Sequence, residues 1–142
     1  MRINKITVLG AGLMGHGITQ VAAQIGKYEV YMRDIEQRFI DNGMSMIKAS
    51  LQKFVSKNQI TEQQMNEILE LIHPTLDLKE AVQNADLIIE AVPENVELKK
   101  ATFKEVDTHA PAHAIIASNT SSVSITELAS ATNRPEKFCG MH

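Results

Sequence analysis

The chain has 142 residues, a length typical of one domain with its own buried core. Hydrophobic residues make up 44% of it and charged residues 22%, as in ordinary globular proteins, and the net charge of −3 argues against a nucleic-acid partner. No apolar stretch approaches the roughly 20 residues of a membrane span, and residues 1–5 leave no room for a signal peptide. The single cysteine fits a reducing compartment. We therefore expect a cytoplasmic protein with no membrane partner.

Predicted strands alternate with predicted helices along the chain. Short apolar runs rich in β-branched residues predict strands, and apolar residues at helical spacing predict helices. In chain order the elements are strand 3–9, helix 13–25, strand 29–33, helices 35–57 and 61–72, helix 77–84, strand 86–92, helix 95–109, strand 115–117, helix 124–130 and strand 137–141. This alternation predicts an α/β fold with a doubly wound parallel sheet.

The two helices of residues 35–72 are predicted to form a helical hairpin. Thr61 with Gln64 makes a capping box at the start of the second helix, and Pro74 ends the hairpin. A hairpin of this length exceeds what a strand–helix–strand crossover needs. We therefore expect an inserted hairpin within a single domain that covers residues 1–142.

The polar residues of greatest interest all follow predicted strands. A glycine-rich loop at residues 10–15 follows the first strand, and Asp34 ends the second. Glu94, Ser121 and His142 follow the next three strands in order. Because ligands bind outside the carboxyl ends of the strands in sheets of this kind, these groups are predicted to share one site.

The loop reads Gly10-Ala11-Gly12-Leu13-Met14-Gly15, between a strand and a helix. This spacing is typical of a dinucleotide site. Gly10 permits a tight turn, Gly12 lets the backbone approach a pyrophosphate, and Gly15 lets the helix pack closely on the strand. The helix N-terminus then offers free amides and a partial positive charge to the phosphates.

Asp34, at the end of the second strand, favours NAD as the cofactor. A carboxylate at this position accepts hydrogen bonds from the adenosine ribose hydroxyls and repels a 2′-phosphate. Arg33 and Arg38 are the counter-argument, because a guanidinium nearby binds such a phosphate. We predict NAD rather than NADP.

His142 and Ser121 are predicted to oxidise a hydroxyl group. Histidine suits the base that takes the hydroxyl proton, since its pKa lies near neutrality. A serine hydroxyl holds and orients the substrate oxygen. The alternatives are an ordinary helix-capping serine and an ordinary terminal histidine.

The remaining histidines and the cysteine are predicted to have no chemical role. His16 is expected to pack at a helix start, and Cys139 to be a buried strand thiol. His73, His109 and His113 lack metal-ligand spacing and are expected at the surface, so no metal site is predicted.

Several runs resemble the N-terminal domain of the L-3-hydroxyacyl-CoA dehydrogenases. The resemblance covers the whole chain and rests on the glycine loop, Ala85-Asp86-Leu87-Ile88-Ile89-Glu90-Ala91, Glu94 with Lys99, Ser118-Asn119-Thr120-Ser121-Ser122, and Gly140-Met141-His142. It implies a Rossmann-type fold, NAD as cofactor, and oxidation of a (3S)-3-hydroxyacyl-CoA to a 3-oxoacyl-CoA in fatty acid metabolism.

The resemblance also implies roles for matching residues. His142 is similar to the catalytic base, and Ser121 to the residue that contacts the substrate oxygen and the nicotinamide. Glu94 and Lys99 resemble cofactor contacts near the nicotinamide. On the hairpin, Ser50 and Lys57 are similar to residues that touch CoA, and Lys53 competes with Lys57 for pairing with a CoA phosphate.

In this family an all-helical second domain closes the cleft and forms the dimer, and a glutamate beyond the histidine pairs with it. The sequence stops at His142, so we expect a truncated cofactor domain that binds NAD(H) with little or no turnover. Two alternatives remain open: a stand-alone, non-catalytic dinucleotide-binding module, and a dehydrogenase that acts on a small β-hydroxyacid.

Overall fold

The computed structural model describes residues 2–141, which fold around a six-stranded, all-parallel sheet. The strands are β1 (Lys5–Leu9), β2 (Glu29–Arg33), β3 (Ile72–Thr75), β4 (Leu87–Glu90), β5 (Ile115–Ser118) and β6 (Phe138–Gly140). The helices are α1 (Leu13–Gln24), α2 (Gln37–Ser56), α3 (Glu62–Glu70), α4 (Leu78–Val82), α5 (Val96–His109) and α6 (Ile125–Ala129), and a short 3-10 turn spans Pro135–Lys137. The predicted α/β fold with a doubly wound sheet is confirmed.

The strand order is β3-β2-β1-β4-β5-β6. The chain winds outward from β1 to β3 on one side and from β4 to β6 on the other, and β1 pairs with both β2 and β4. The order therefore reverses between β1 and β4, where such sheets open a crevice at their carboxyl edge.

Two hydrophobic cores cover the two faces of the sheet. One contains buried side chains of α1, α2 and α3, including Ala23, Ile47 and Ile68. The other contains those of α4, α5 and α6, with Phe103 packed edge-on against Phe138 at 4.8 Å between ring centroids. Because both faces are covered, the central strands are almost wholly apolar.

The sequence interpretation was wrong at the end of the hairpin. The helix predicted over residues 61–72 ends at Glu70, and Ile72–Thr75 forms the edge strand β3, which the prediction omitted. Pro74 lies within this strand opposite Met32, in a position that a proline tolerates at the edge of a sheet. The hairpin α2–α3 thus forms the crossover from β2 to β3.

The prediction of a buried Cys139 was also wrong. Cys139 lies in β6, as expected, but its side chain is exposed. β6 is a short edge strand, so the side chain that alternates away from the core meets solvent. Within residues 2–141, no helix is long and apolar enough to cross a membrane.

Candidate active site

A cleft of about 660 Å³ opens at the carboxyl edge of the sheet, over the reversal point between β1 and β4. It is bordered by the loop after β1, the end of β2, helix α2, the loop after β4, helix α5 and the turn after β5. The predicted site residues that line it are Gly10, Ala11, Gly12, Leu13, Met14, Asp34, Glu94, Lys99 and Ser121. The structure thus brings together most of the residues that the sequence assigned to one site.

The three glycines of the loop play distinct structural parts. Gly10 has φ of 111°, and a Cβ there would lie 2.5 Å from the carbonyl oxygen of Ala91. A Cβ on Gly15 would lie 1.8 Å from the carbonyl oxygen of Gly10, so helix and loop touch directly. At Gly12, no atom among the described residues lies within 4 Å of an added Cβ, which would project into open space.

Gly12 is also the N-cap of α1, and within the described residues no side chain caps the helix and no acidic residue lies in its first turn. The amides and the partial positive charge at this end therefore stay available. The arrangement fits a dinucleotide pyrophosphate. The free amides are hydrogen-bond donors for the phosphates, and the absence of a side chain at Gly12 leaves space for them.

Asp34 holds the glycine loop as well as lining the cleft. Its Oδ2 accepts a hydrogen bond from the Ala11 amide at 2.8 Å, and its Oδ1 accepts one from the Ile35 amide at 2.7 Å. Arg33 also lines the cleft, and the Nε atoms of Arg33 and Arg38 have partners other than Asp34. Arg33 donates from Nε to the Leu76 carbonyl at 3.1 Å, and Arg38 pairs with Glu36 at 2.7 Å.

At the other end of the cleft, a lysine lies between two carboxylates. The Lys99 ammonium nitrogen is 2.6 Å from Oε2 of Glu90 and 3.2 Å from Oε1 of Glu94. It also donates to the carbonyl oxygen of Val92 at 3.2 Å. Lys99 and Glu90 are almost fully buried, so each charge needs the other as a partner.

The turn after β5 is tied to these carboxylates. Ser118 donates to Oε1 of Glu90 at 2.6 Å, and Thr120 donates to Oε2 of Glu94 at 2.7 Å. The Ser122 hydroxyl also donates to Glu94. Hydrogen bonds from Ser122 and Thr120, aided by Lys99, hold the pKa of the Glu94 carboxyl at about 2, below its usual value.

Ser121 lies between the bonded residues of this turn and is exposed, on the cleft wall. His142, the predicted base, lies outside the described residues. The last described residue, Met141, follows β6, and its amide donates to the Ser118 carbonyl at 2.8 Å.

The hairpin residues Ser50 and Lys57 are not among the described residues that line the cleft. Ser50 accepts a hydrogen bond from Gln20 of α1 at 2.9 Å. Lys57 is the exposed C-cap of α2, and Lys53 is also exposed. The hairpin still touches the glycine loop, because a Cβ on Gly43 of α2 would lie 2.7 Å from the Ala11 carbonyl oxygen.

Three of the other described histidines make local contacts. His113 lies 2.7 Å from a carboxylate oxygen of Asp86, and His73 stacks on Tyr31 with 4.9 Å between ring centroids. The Nδ1 of His16 lies 2.7 Å from the Gly12 carbonyl oxygen. Among residues 2–141, no group of histidine, cysteine and acidic side chains is arranged to hold a metal ion.

Sequence reasoning missed several residues of the cleft. Apolar side chains line the end near Asp34 and the wall of α5, and a second, small cavity beside Asn119 adjoins Met14. The missed lining residues include Ile35, Phe39, Met46, Leu98, Thr102 and Asn119. Glu90 was also missed as a site residue, although an acid that ends an apolar strand was a signal for it.

The sequence model of the family described as 3-hydroxyacyl-CoA dehydrogenase, NAD binding domain, matches residues 5–142. The chain belongs to the 3-hydroxyacyl-CoA dehydrogenase family. Its cofactor is NAD, which agrees with the glycine loop and with Asp34. The resemblance noted from the sequence motifs is thereby confirmed.

Curated members of this family match the chain along nearly its whole length. A probable 3-hydroxybutyryl-CoA dehydrogenase of Bacillus subtilis is 42% identical over 100% of this chain and 49% of its own length. The fatty acid oxidation complex subunit alpha of Psychrobacter sp. is 45% identical over 99% of this chain and 19% of its own length. The chain thus spans about half the length of the first relative and much less of the second.

Solved structures of the family share the fold closely. The (S)-3-hydroxybutyryl-CoA dehydrogenase of Ralstonia eutropha superposes with a TM-score of 0.94 at 37% identity, over 99% of this chain and 49% of that one. The 3-hydroxybutyryl-CoA dehydrogenase of Escherichia coli gives 0.94 at 34% identity, over 100% of this chain and 30% of that one.

Proposed function

We propose that this chain is the NAD-binding domain of an L-3-hydroxyacyl-CoA dehydrogenase, which oxidises (3S)-3-hydroxyacyl-CoA to 3-oxoacyl-CoA in fatty acid metabolism. The observation that carries the proposal is a single cleft with a dinucleotide loop and Asp34 at one end, and Ser121, Glu94 and Lys99 at the other. Family membership supports the same reading.

In this proposal the loop and the end of β2 hold the adenosine half of the cofactor. The amides at the start of α1 bind the pyrophosphate across the space over Gly12. Asp34 accepts hydrogen bonds from the ribose hydroxyls, and its charge disfavours a 2′-phosphate.

The other half of the cleft performs the oxidation. Ser121 donates a hydrogen bond to the substrate oxygen and orients it. His142 takes the hydroxyl proton, a role that rests on the sequence motif. Glu94 and Lys99 would hold the nicotinamide end of NAD, which when bound would supply the hydride acceptor.

The rest of the proposal concerns substrate and setting. Ser50 and Lys57 are proposed to contact the CoA part of an acyl-CoA thioester. We propose that residues 1–142 form one cofactor domain, and that dimer contacts belong to parts of family members that this chain does not span. The free thiol Cys139 supports a reducing, cytoplasmic setting.

Residues 1–142 on their own, which correspond to about half of the Bacillus subtilis relative, are expected to bind the cofactor without efficient turnover. The test follows NADH oxidation by acetoacetyl-CoA at 340 nm, beside a full-length relative as the positive control. Binding is measured separately by the thermal stabilisation that NADH produces. The expected result is clear stabilisation by NADH and turnover several orders of magnitude below the control.

Two outcomes contradict parts of this proposal. If NADH fails to stabilise the fold, the chain is not the proposed cofactor domain. If 3-hydroxyisobutyrate stabilises the NADH complex more than acetoacetyl-CoA does, the substrate is a small acid and not a thioester.

A further inference from the structure

Two carboxylates surround one ammonium group at the end of the cleft that lies away from Asp34. The charged atoms of Glu90 and Lys99 are 2.6 Å apart, and their side chains are 0% and 1% exposed. Glu94 lies 3.2 Å from the same ammonium and is 41% exposed. Since Glu90 and Lys99 are neutral as a pair, the cluster keeps one negative charge on the carboxylate that lines the cleft.

The structure keeps Glu94 ionised and fixed in place. Hydroxyl groups of Thr120 and Ser122 donate to it, and a carboxylate that accepts several hydrogen bonds favours its charged form. Helix α5 begins at Val96 with Asn95 as its N-cap, which adds a partial positive charge nearby. A helix end supplies only about half a charge, so the cluster stays negative overall.

We propose that the Glu90–Lys99–Glu94 cluster makes the cleft favour the oxidised nicotinamide over the reduced one, compared with a neutral site. The inference rests on the proposed function, in which adenosine binds at Asp34 and the nicotinamide therefore lies at the opposite end, near this cluster. The oxidised ring is a cation and the reduced ring is neutral, while both cofactor forms carry the same two phosphates. A fixed negative charge thus acts on one form only.

Glu90 is a positioning residue in this scheme. It neutralises Lys99 and holds the ammonium between β4 and α5. Without Glu90, the lysine charge would instead cancel that of Glu94, and the cluster would lose its effect on the ring. The buried acid therefore sets the charge of the site although it does not line the cleft among the described residues.

The test compares dissociation constants for oxidised NAD, NADH and ADP-ribose by isothermal titration calorimetry at fixed ionic strength. Glu94→Gln removes the charge but keeps an acceptor for Thr120 and Ser122. We expect the ratio of the NAD dissociation constant to that of NADH to rise roughly three- to tenfold, the size of one unit charge in a partly hydrated cleft. Affinity for ADP-ribose, which lacks the nicotinamide, is expected to change less than about twofold.

Two further variants separate this effect from a general change of charge or folding. Glu97→Gln removes the same charge from an exposed position on α5 that is not among the described cleft-lining residues, and it is expected to leave the ratio unchanged. Asn119→Asp adds a carboxylate to the cleft wall. It is expected to shift the ratio in the opposite direction to Glu94→Gln.

The outcomes distinguish the inference from the function on which it rests. If the unmodified chain binds none of the three ligands, the proposed function fails and the inference falls with it. If all three bind, but Glu94→Gln and Asn119→Asp leave the ratio within about 1.5-fold of its original value, the function stands and the inference is overturned. An equal shift with Glu97→Gln overturns it as well.

Discussion

Replacing Asp34 with alanine is expected to lower both the stability of the fold and the preference for NADH over NADPH. The carboxylate is half-buried and accepts hydrogen bonds from the backbone amides of Ala11 and Ile35. A hydrogen bond to a charged group contributes about 1.5–3 kcal/mol. Because the site is partly hydrated, Asp34→Ala is expected to lower the free energy of unfolding by about 1–2 kcal/mol.

The same substitution removes the acceptor that we propose for the ribose hydroxyls. Loss of those charged hydrogen bonds is expected to weaken NADH binding by roughly 10- to 100-fold. NADPH is expected to lose much less, since the repulsion of its 2′-phosphate disappears together with the ribose contact. The preference for NADH over NADPH should therefore narrow by at least about tenfold.

Urea unfolding followed by circular dichroism measures the first effect, and NADH and NADPH fluorescence titrations measure the second. Asp41→Ala is the matched control, because Asp41 is an exposed acid on α2 that accepts a hydrogen bond from the Gln37 side chain. Asp34→Asn separates charge from geometry, since its amide oxygen still accepts a hydrogen bond. An unchanged cofactor preference in Asp34→Ala would refute the ribose role, and an unchanged unfolding free energy would refute the role in holding the loop.

Three further predictions concern the loop glycines, Glu94 and Cys139. Gly12→Ala is expected to change the free energy of unfolding by less than about 1 kcal/mol and to weaken the binding of NADH at least about tenfold. Gly15→Ala is expected to lower the free energy of unfolding by about 2–3 kcal/mol, because its Cβ would meet the Gly10 carbonyl oxygen. Equal effects of the two substitutions on stability would contradict this distinction. Folding lowers the pKa of the Glu94 carboxyl from 4.5 to about 2. The ionised carboxylate therefore contributes fully to stability above pH 4.5, the pKa in the unfolded chain, and this contribution is lost as the pH falls toward 2. Urea unfolding should accordingly show a smaller difference in the free energy of unfolding between the unmodified chain and Glu94→Gln at about pH 3 than at about pH 6. The same difference at both pH values would contradict this prediction. Cys139 is exposed, so the native chain should react with one equivalent of Ellman's reagent without denaturant, and a thiol that reacts only after unfolding would show that it is buried.

The central strands of the fold could be predicted because each is a run of apolar residues that is buried on both faces. The edge strand β3 could not, since its residues His73 and Pro74 have weak strand propensity and form a strand only by pairing with β2. The exposure of Cys139 was missed for a similar reason. The sequence does not reveal that β6 lies at an edge, where one face of the strand meets solvent.

Within the site, the sequence predicted the positions of those residues that directly follow a strand. The glycine loop and Asp34 follow strands directly, so their place at the carboxyl edge could be predicted from the order of elements. The partnership of Glu90 with Lys99 and Ser118 could not, because it depends on packing between β4, α5 and β5. The roles of all the predicted site residues, including His142, Ser50 and Lys57, stay predictions.

The close approach of Gly43 to the Ala11 carbonyl packs helix α2 of the hairpin directly against the glycine loop. Because α2 has no room for even a methyl group there, the helix cannot slide past the loop without unpacking. Any side chain at position 43 would therefore have to displace the Ala11 backbone or shift α2 away from the loop.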